Sequence, residues 1–189
     1  HMPVHLGSMD STVKSIIKNN STLSPGDIFA INAPYNGGTH LPDITIVNPI
    51  WNSEKSKIIF YTAARGHHTD IGGLTPGSMP CDSTDIHEEG IYIDNWKIVA
   101  KGVFREQEIK NKLLSGAFPA RSPLTNIADL KAQIAACKKG ETELLKIVDK
   151  YGLETVFRFQ ELVCQNAEDA VRDSIKTIKS TEIIYQMDN

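Results

Sequence analysis

Hydrophobic and polar positions follow two different periods along the chain, and the change of period predicts two kinds of structure. In the first half, short runs of β-branched and other apolar residues at 28–32, 44–47, 58–64 and 91–99 stand between segments rich in glycine, proline and asparagine. Runs of this length, bounded by turn residues, are typical of β-strands. This half of the chain is therefore predicted to form a sheet.

Apolar residues at helical spacing predict four helices. The first covers residues 8–17, with its opening serine as the N-cap, and the second covers residues 105–114. Two longer amphipathic helices follow at 126–150 and 153–184, and the Gly152 between them is typical of a helix end. So short a connection predicts an antiparallel helix pair. The side chains expected to be buried between the two helices are Ile134, Val148, Val156, Phe159 and Val163.

The two patterns meet near residue 104 and predict an α+β fold. Residues 1–103 are expected to form a strand-and-loop region, and residues 104–189 a helical region that contains the long helix pair. The chain opens abruptly and stops soon after a helical stretch. We therefore interpret it as a fragment of one larger domain.

Composition excludes several classes of function. With 40% hydrophobic and 23% charged residues, the 189-residue chain has the make-up of an ordinary globular protein. A net charge of −3 without a basic run argues against nucleic acid or an anionic membrane as a partner. The longest apolar run, at 58–64, is far too short to cross a bilayer. Three cysteines without Cys-x-x-Cys spacing predict a reducing compartment, and we expect a cytoplasmic location.

All six histidines lie in the first half of the chain, and two glycine-rich segments there carry candidate chemistry. The segment 37–43 contains His40 and Asp43, and the segment 66–73 contains two adjacent histidines and an aspartate. Neutral imidazole and carboxylate are ligands that divalent zinc or manganese accepts. A His-x-x-Asp turn either holds such a metal or is fixed by its own hydrogen bonds, and the pattern leaves both interpretations open.

Three residues are candidates for catalysis. In an extended backbone, His67 and His68 point to opposite faces, so only one of them faces a metal and the other is free for another contact. Asp70 either orients an imidazole by accepting its N–H or closes a turn before the glycines that follow it. Glu89 is either a general base or an exposed helix cap. The predicted catalytic residues are His68, Asp70 and Glu89.

Small residues in the same loops are candidates for substrate binding. Gly72, Gly73 and Ser78 can present backbone N–H groups to an oxyanion or a phosphate. The nucleotide patterns G-x-x-x-x-G-K-[ST] and G-x-G-x-x-G are missing from the sequence, as is the serine-hydrolase pattern G-x-S-x-G. No ATP site is therefore predicted within this chain.

Nine blocks of the sequence, spread over nearly its whole length, form a specific pattern. They are HMPVHLGSM (1–9), PGD (25–27), NAPYNGGTHLPD (32–43), GHHTDIGG (66–73), PGS (76–78), EG (89–90), NIADLKAQ (126–133), YG (151–152) and NAE (166–168). In this order they resemble the hydantoinase B family, which includes N-methylhydantoinase B subunits, the alpha subunit of acetone carboxylase and the C-terminal half of ATP-dependent 5-oxoprolinase. Residues 32–35, 78–80 and 102–104 are similar to the 5-oxoprolinase branch.

The resemblance implies a metal site and a partner. In the family, the B-type subunit binds a divalent metal through a His-x-x-Asp pair and a later histidine, which correspond to His40, Asp43 and His67. A further family ligand, an aspartate upstream of the first block, has no counterpart in this sequence. ATP with magnesium is implied on a partner A-type half, fused or separate.

The resemblance also implies an activity. It indicates part of an ATP-dependent 5-oxoprolinase, a cyclic amide hydrolase of glutathione metabolism that opens the lactam of 5-oxoproline to glutamate. The alternatives are an ATP-dependent N-methylhydantoinase B subunit and a truncated, non-catalytic assembly module. A small cyclic amide is the expected substrate and a homo-oligomer the expected assembly. Because this chain lacks an ATP site and one of the metal ligands of the family, it is expected to be inactive by itself.

Overall fold

The computed structural model describes residues 3–186, without the side chains of Pro3, Val4 and Leu6. His1 and Met2, which open the first of the nine blocks, and residues 187–189 lie outside the described residues. In chain order the elements are α1 (Pro3–Asn19), β1 (Ile28–Ile31), a 3-10 turn (Pro34–Asn36), β2 (Asp43–Trp51), β3 (Ile58–His67), α2 (Ile86–Glu89), β4 (Trp96–Ala100), β5 (Val103–Phe104), α3 (Glu106–Leu113), α4 (Pro123–Tyr151) and α5 (Leu153–Thr177).

The strands form one antiparallel sheet in the order β3-β2-β1-β4-β5, so the predicted α+β class is confirmed. β2 lies inside the sheet and is buried along nearly its whole length. Because successive side chains of a strand point to opposite faces, each face of β2 must be covered by something else.

Helices cover the two faces of β2. On one face Val47 packs in a buried cluster with Ile16 of α1, and we name this side the α1 face. On the other, Ile46 packs in a larger cluster with Leu130 of α4, and we name it the α4 face. Each fully buried aliphatic side chain contributes about 1.5–3 kcal/mol to stability. The sheet is thus held between apolar contacts on both sides.

The hairpin of β2 and β3 has a register that decides the site. Its turn is closed by Asn52, whose Oδ1 accepts the backbone N–H groups of Ser56 and Lys57 at 2.9 and 3.0 Å. Next to the turn the pairing shifts by one residue between Ile50 and Trp51, and beyond that shift the two strands pair residue by residue until Asp43 stands opposite His67. The two glycine-rich segments therefore meet at the open end of the hairpin.

Two sequence predictions of local structure are wrong. The first helix begins at Pro3 and not at Ser8, whose hydroxyl donates to the carbonyl of His5 at 2.8 Å as a residue inside a helix does. Residues 91–95 are not a strand, because the side chain of Asn32 occupies their backbone groups. Its amide accepts from the N–H of Ile93 at 2.7 Å and donates to the carbonyl of Ile91 at 2.8 Å.

The chain divides into two compact units, residues 1–142 and 143–189. The second unit contains the end of α4 and the whole of α5, and the predicted pair of long helices is confirmed. Within this unit the two helices pack together beside Gly152, where Val148 and Val156 are half-buried. The predicted division into a strand-and-loop region (1–103) and a helical region (104–189) stays a prediction.

Burial of the apolar stripe of α5 is a wrong prediction. Phe159 and Val163 are 62% and 65% exposed. An open apolar groove, lined by residues of both helices, lies between the end of α4 and the start of α5. The helix also ends at Thr177 and not near 184, because the segment after it is rich in β-branched residues, which lower helix propensity.

No helix within residues 3–186 combines the length and the apolar composition that crossing a bilayer requires.

Candidate metal centre

Asp43 lies at the centre of a histidine cluster at the open end of the β2–β3 hairpin. Its Oδ1 is 2.9 Å from Nδ1 of His67, and its Oδ2 is 3.2 Å from Nδ1 of His40. One ligand atom from each of the three residues lies within 4.8 Å of those from the other two. The predicted convergence of His40, Asp43 and His67 is confirmed.

The loop before β2 turns sharply to bring His40 back over Asp43. Gly37 has a φ of +94°, and Gly38 donates its N–H to the carbonyl of Ala33 at 2.7 Å. A Cβ built on Gly38 would stand 2.5 Å from the carbonyl oxygen of Asn32, so only glycine allows this approach. The glycines of the first segment are therefore required by the turn that delivers the histidine.

A third imidazole, from His5, reaches the same carboxylate. Its Nε2 is 3.2 Å from Oδ2 of Asp43, and its ring stacks on that of His40 with 5.9 Å between centroids. Sequence reasoning assigned no role to His5. The usable signal is its spacing of three and seven residues from Ser8 and Thr12, which together form a polar stripe on an otherwise amphipathic helix.

The same stripe of α1 holds a positive charge beside the cluster. Arg65 stands two residues before His67 on β3, and its side chain donates to the hydroxyls of Thr45 and Thr12 at 2.8 and 2.9 Å and to that of Ser8. Burial lowers the pKa of Arg65, and the charge of Asp43 opposes this effect. Because a guanidinium stays protonated in proteins, a fixed positive charge stands near the carboxylate.

The surroundings of His40 favour its neutral form. Burial lowers the pKa of His40; the carboxylate of Asp43 acts to raise it, and the nearby His67, His5 and Arg65 lower it further. A neutral imidazole is the form that coordinates a metal, since its ring nitrogen then offers a lone pair. Two or three such nitrogens with one carboxylate fit a borderline divalent cation.

His68 faces the opposite side of the hairpin from His67, as the alternation of a strand predicts. It is almost fully buried, and its Nε2 is 3.1 Å from Oε1 of Gln133 on α4. Its Nδ1 is 3.2 Å from the side-chain amide of Asn126, which also donates to the carbonyl of Asp70. Burial lowers the pKa of His68. The contacts of His68 lie on the α4 face, and its catalytic role stays a prediction.

Asp70 is bound within its own loop. Its two oxygens accept the backbone N–H groups of Gly72, Gly77 and Arg121 at 3.0–3.1 Å, and Arg121 adds an ion pair at 2.6 Å. Burial would raise the pKa of Asp70, but these hydrogen bonds outweigh it and lower the pKa. The geometry is that of the turn closure considered above. Contact with an imidazole through the carboxylate is not among the hydrogen bonds of the described residues.

The remaining candidates also have partners inside the protein. Glu89 accepts the hydroxyl of Ser83 at 3.0 Å. Gly73 donates its N–H to the carbonyl of Phe118 at 3.0 Å, while the N–H of Gly72 is taken by the aspartate described above. The hydroxyl of Ser78 is buried; it accepts the N–H of Ile71 and donates to the carbonyl of Gly72. Substrate binding by Gly72, Gly73 and Ser78 stays a prediction.

Comparison with known proteins places these residues in a family context. The family described as Hydantoinase B/oxoprolinase matches residues 1–189. The chain is 44% identical to 5-oxoprolinase 1 of Arabidopsis thaliana over 94% of its own length, and it is 40% identical to 5-oxoprolinase of Dictyostelium discoideum over 99%. It spans only 15% and 14% of the lengths of those two relatives.

A solved structure shares the fold. The ATP-dependent caprolactamase from Pseudomonas jessenii superposes with a TM-score of 0.80 at 29% sequence identity, and the match covers 95% of this chain and 30% of that one. The likeness therefore concerns the fold of nearly the whole chain.

Proposed function

Since this chain belongs to the hydantoinase B/oxoprolinase family, we propose that it is the metal-binding part of an ATP-dependent 5-oxoprolinase. That enzyme opens the lactam of 5-oxoproline to glutamate and couples the step to ATP hydrolysis. Identity above 40% to a named 5-oxoprolinase supports the substrate, and the likeness to a caprolactamase supports a lactam ring as the group acted on. The observation that carries the proposal is the convergence of His40, Asp43 and His67.

The cluster supplies the ligands that the proposal needs. His40 and His67 would hold a divalent metal through ring nitrogens, and Asp43 through a carboxylate oxygen. When bound, such a metal polarises a carbonyl oxygen or lowers the pKa of a water molecule. The carboxylate of Asp43 is buried among imidazoles, and a negative group in such a place suits a bound cation.

Three further residues would have positioning roles, and a fourth would take part in proton transfer. Arg65 places a fixed positive charge beside Asp43, which suits an anionic group of the substrate or the product carboxylate. His68 and Asp70, through Gln133, Asn126 and the loop hydrogen bonds, would fix the segment that follows His67. Glu89 would be the residue available for proton transfer. ATP with magnesium would bind an A-type half, fused or separate, in a cytoplasmic and homo-oligomeric enzyme.

The test measures metal content and coupled turnover in the complete enzyme. Purified wild-type protein is expected to retain about one metal per chain and to hydrolyse ATP in response to 5-oxoproline. His40→Ala removes a ligand, so metal content should fall and the 5-oxoproline-dependent rate should drop at least about 100-fold, beyond the effect of losing an outer partner. His87→Ala, an exposed histidine outside the cluster, is the matched control.

Substrate comparison separates the alternatives. A 5-oxoprolinase responds to 5-oxoproline more than to hydantoins or to larger lactams, and the reverse order would assign the chain to a hydantoinase or another lactamase. Metal-free wild-type protein with no substrate-dependent ATP hydrolysis in the complete assembly would instead support the non-catalytic assembly module.

A further inference from the structure

Arg65 lies on the same face of the hairpin as the histidine cluster. Because side chains two residues apart share a face of a strand, Arg65 of β3 lies on the side of His67. Its partner in the register is Thr45, which in the same way lies two residues after Asp43 on β2. The hydroxyl of Thr45 is buried and accepts from Nε of Arg65 at 2.8 Å. The guanidinium is therefore fixed beside the residues that would hold the metal.

Two hydroxyls of α1 accept from the same guanidinium. Ser8 and Thr12 are four residues apart, so they share the face of the helix that meets β3. Nη2 of Arg65 is 2.9 Å from Oγ1 of Thr12, and Nη1 donates to the hydroxyl of Ser8. Each of the three guanidinium nitrogens thus has a hydroxyl partner, and one rigid planar group joins β3, β2 and α1.

Thr12 extends this connection to the turn that delivers His40. Since a guanidinium only donates, the oxygen of Thr12 accepts from Arg65, and its own proton is available to a carbonyl. The carbonyl of Gly37, where the turn begins, is the nearer of two carbonyls within its reach. Helix and turn also touch directly, because a Cβ on Gly37 would stand 2.7 Å from a carbonyl oxygen of α1. The strand of His67 and the turn of His40 are thus connected through two side chains.

The hydroxyl partners of Arg65 also leave Asp43 to the histidines. A charged side chain in such a half-buried place commonly pairs with a nearby carboxylate. The ion pairs of Asp43 among the described residues are instead with imidazoles, because neutral hydroxyls take the N–H groups of the arginine. The positive charge of Arg65 by itself repels a cation. Any benefit to metal binding must therefore come from the contacts that Arg65 makes.

We propose that Arg65 is a positioning residue of the metal centre. By fixing α1 through two hydroxyls, it holds the glycine turn where His40 and His67 can reach one cation. The inference rests on the metal site of the proposed function and adds no ligand to it. A purely electrostatic role predicts tighter metal binding when the charge of Arg65 is removed, whereas the positioning role predicts weaker binding. The sign of the change separates the two.

Titration of Mn²⁺ into the metal-free complete enzyme, without nucleotide, measures that sign. Arg65→Met keeps a long side chain but removes the charge and every donor. Its Mn²⁺ affinity should fall by about 10- to 100-fold, as when outer partners of metal ligands are lost. Arg172→Met removes an exposed arginine of α5 and is the control for loss of one positive charge, so it should keep the wild-type affinity.

A pair of variants at Thr12 keeps the test decisive if Arg65→Met does not fold. Thr12→Val keeps the size of the buried side chain but removes the hydroxyl, so Mn²⁺ affinity should fall about tenfold or more. Thr12→Ser keeps the hydroxyl but loses a buried methyl group, so it should lose stability in urea and keep its affinity. A merely structural role would make the affinity follow the stability and not the hydroxyl.

The outcomes distinguish the two hypotheses. An affinity that rises in Arg65→Met, or that is unchanged in Thr12→Val, would overturn the positioning role and leave the metal centre standing. A wild-type enzyme that binds neither Mn²⁺ nor Zn²⁺ would overturn the metal centre, and the positioning role with it.

Discussion

The two faces of the β2–β3 hairpin both carry buried polar groups, but they are arranged in different ways. On the α4 face, the side-chain amide of Gln133 donates to two strand carbonyls at 2.8 and 2.9 Å and meets His68 at 3.1 Å. On the α1 face, three imidazoles crowd one carboxylate, and Nδ1 of His5 has no partner among the described residues. Polar side chains that satisfy one another's hydrogen bonds stabilise the fold. Polar side chains that crowd one acceptor and leave a buried nitrogen unpaired are instead typical of a site that binds a ligand.

The largest expected effect is on the α4 face. Gln133→Leu keeps the size of the side chain but removes the amide that contacts Ile44, Ala64 and His68. Each buried polar group left without a partner costs about 1–3 kcal/mol, so the free energy of unfolding should fall by about 2–4 kcal/mol. Urea unfolding of wild type and variant measures the change.

An exposed glutamine gives the matched control. Gln165→Leu makes the same chemical change on the exposed surface of α5, and its effect should stay within about 0.5 kcal/mol. Equal losses at both positions would show that the α4 face does not depend on its hydrogen bonds, and the contrast between the faces would lose its basis.

Adjacent histidines test the contrast directly. His67→Ala should weaken Mn²⁺ binding at least about 100-fold, or about 2.7 kcal/mol, while changing the unfolding free energy little, because its ring is half exposed. His68→Ala should do the opposite, lowering stability and leaving the affinity within about tenfold. Isothermal titration and urea unfolding of the two variants form a crossed pair. If both lose metal binding equally, the assignment of function to one face is wrong.

The strands of this fold were predictable, but their pairing was not. Short apolar runs locate β1, β2 and β3, yet alternation alone leaves the register of a hairpin open. The register follows from the turn hydrogen bonds of Asn52 together with a one-residue shift of the pairing between Ile50 and Trp51. The false strand at 91–95 has a similar cause, since Asn32, which occupies that backbone, lies 61 residues away from Ile93 in sequence. Local patterns contain no information about such a contact.

The site was predictable to the extent that its residues share a local motif. Glycines, histidines and aspartates mark both loops, and strand alternation separates His67 from His68. His5 was missed because its place depends on how α1 crosses the sheet, which Arg65 decides through contacts 53 and 57 residues apart. The apolar stripe of α5 failed as a burial signal for the complementary reason. A period of 3.6 shows which side of a helix is apolar, but not what covers it.

A smaller effect is expected where the loop after β3 is held by charge. Asp70 has a lowered pKa because hydrogen bonds from the loop and from Arg121 outweigh its burial. A carboxylate whose folded pKa lies below its unfolded value of about 3.9 stabilises the protein above that pH and loses the contribution as pH falls through the folded pKa. Asp70→Asn should therefore lower the unfolding free energy by about 1–2 kcal/mol near pH 7.

The pH dependence distinguishes charge from shape at this position. The difference between wild type and Asp70→Asn should be constant from about pH 5 to 7 and should shrink below about pH 4, where the wild-type carboxylate becomes protonated. Chemical unfolding at several pH values gives the curve. A difference that does not change down to pH 2 would mean that the turn needs the geometry of the side chain and not its charge.

The smallest effect is expected on α5, whose apolar stripe is largely exposed within its own unit. Phe159 is 62% exposed, so Phe159→Ala removes little buried surface and should cost less than about 1 kcal/mol in urea unfolding. Phe29→Ala, at a position only 1% exposed, is the control and should cost about 3–5 kcal/mol. A loss of that larger size at Phe159 would show that the stripe is buried in solution. It would also restore the packing that the helical period predicts, and hydrophobic pattern would then be as informative in α5 as it is in the sheet.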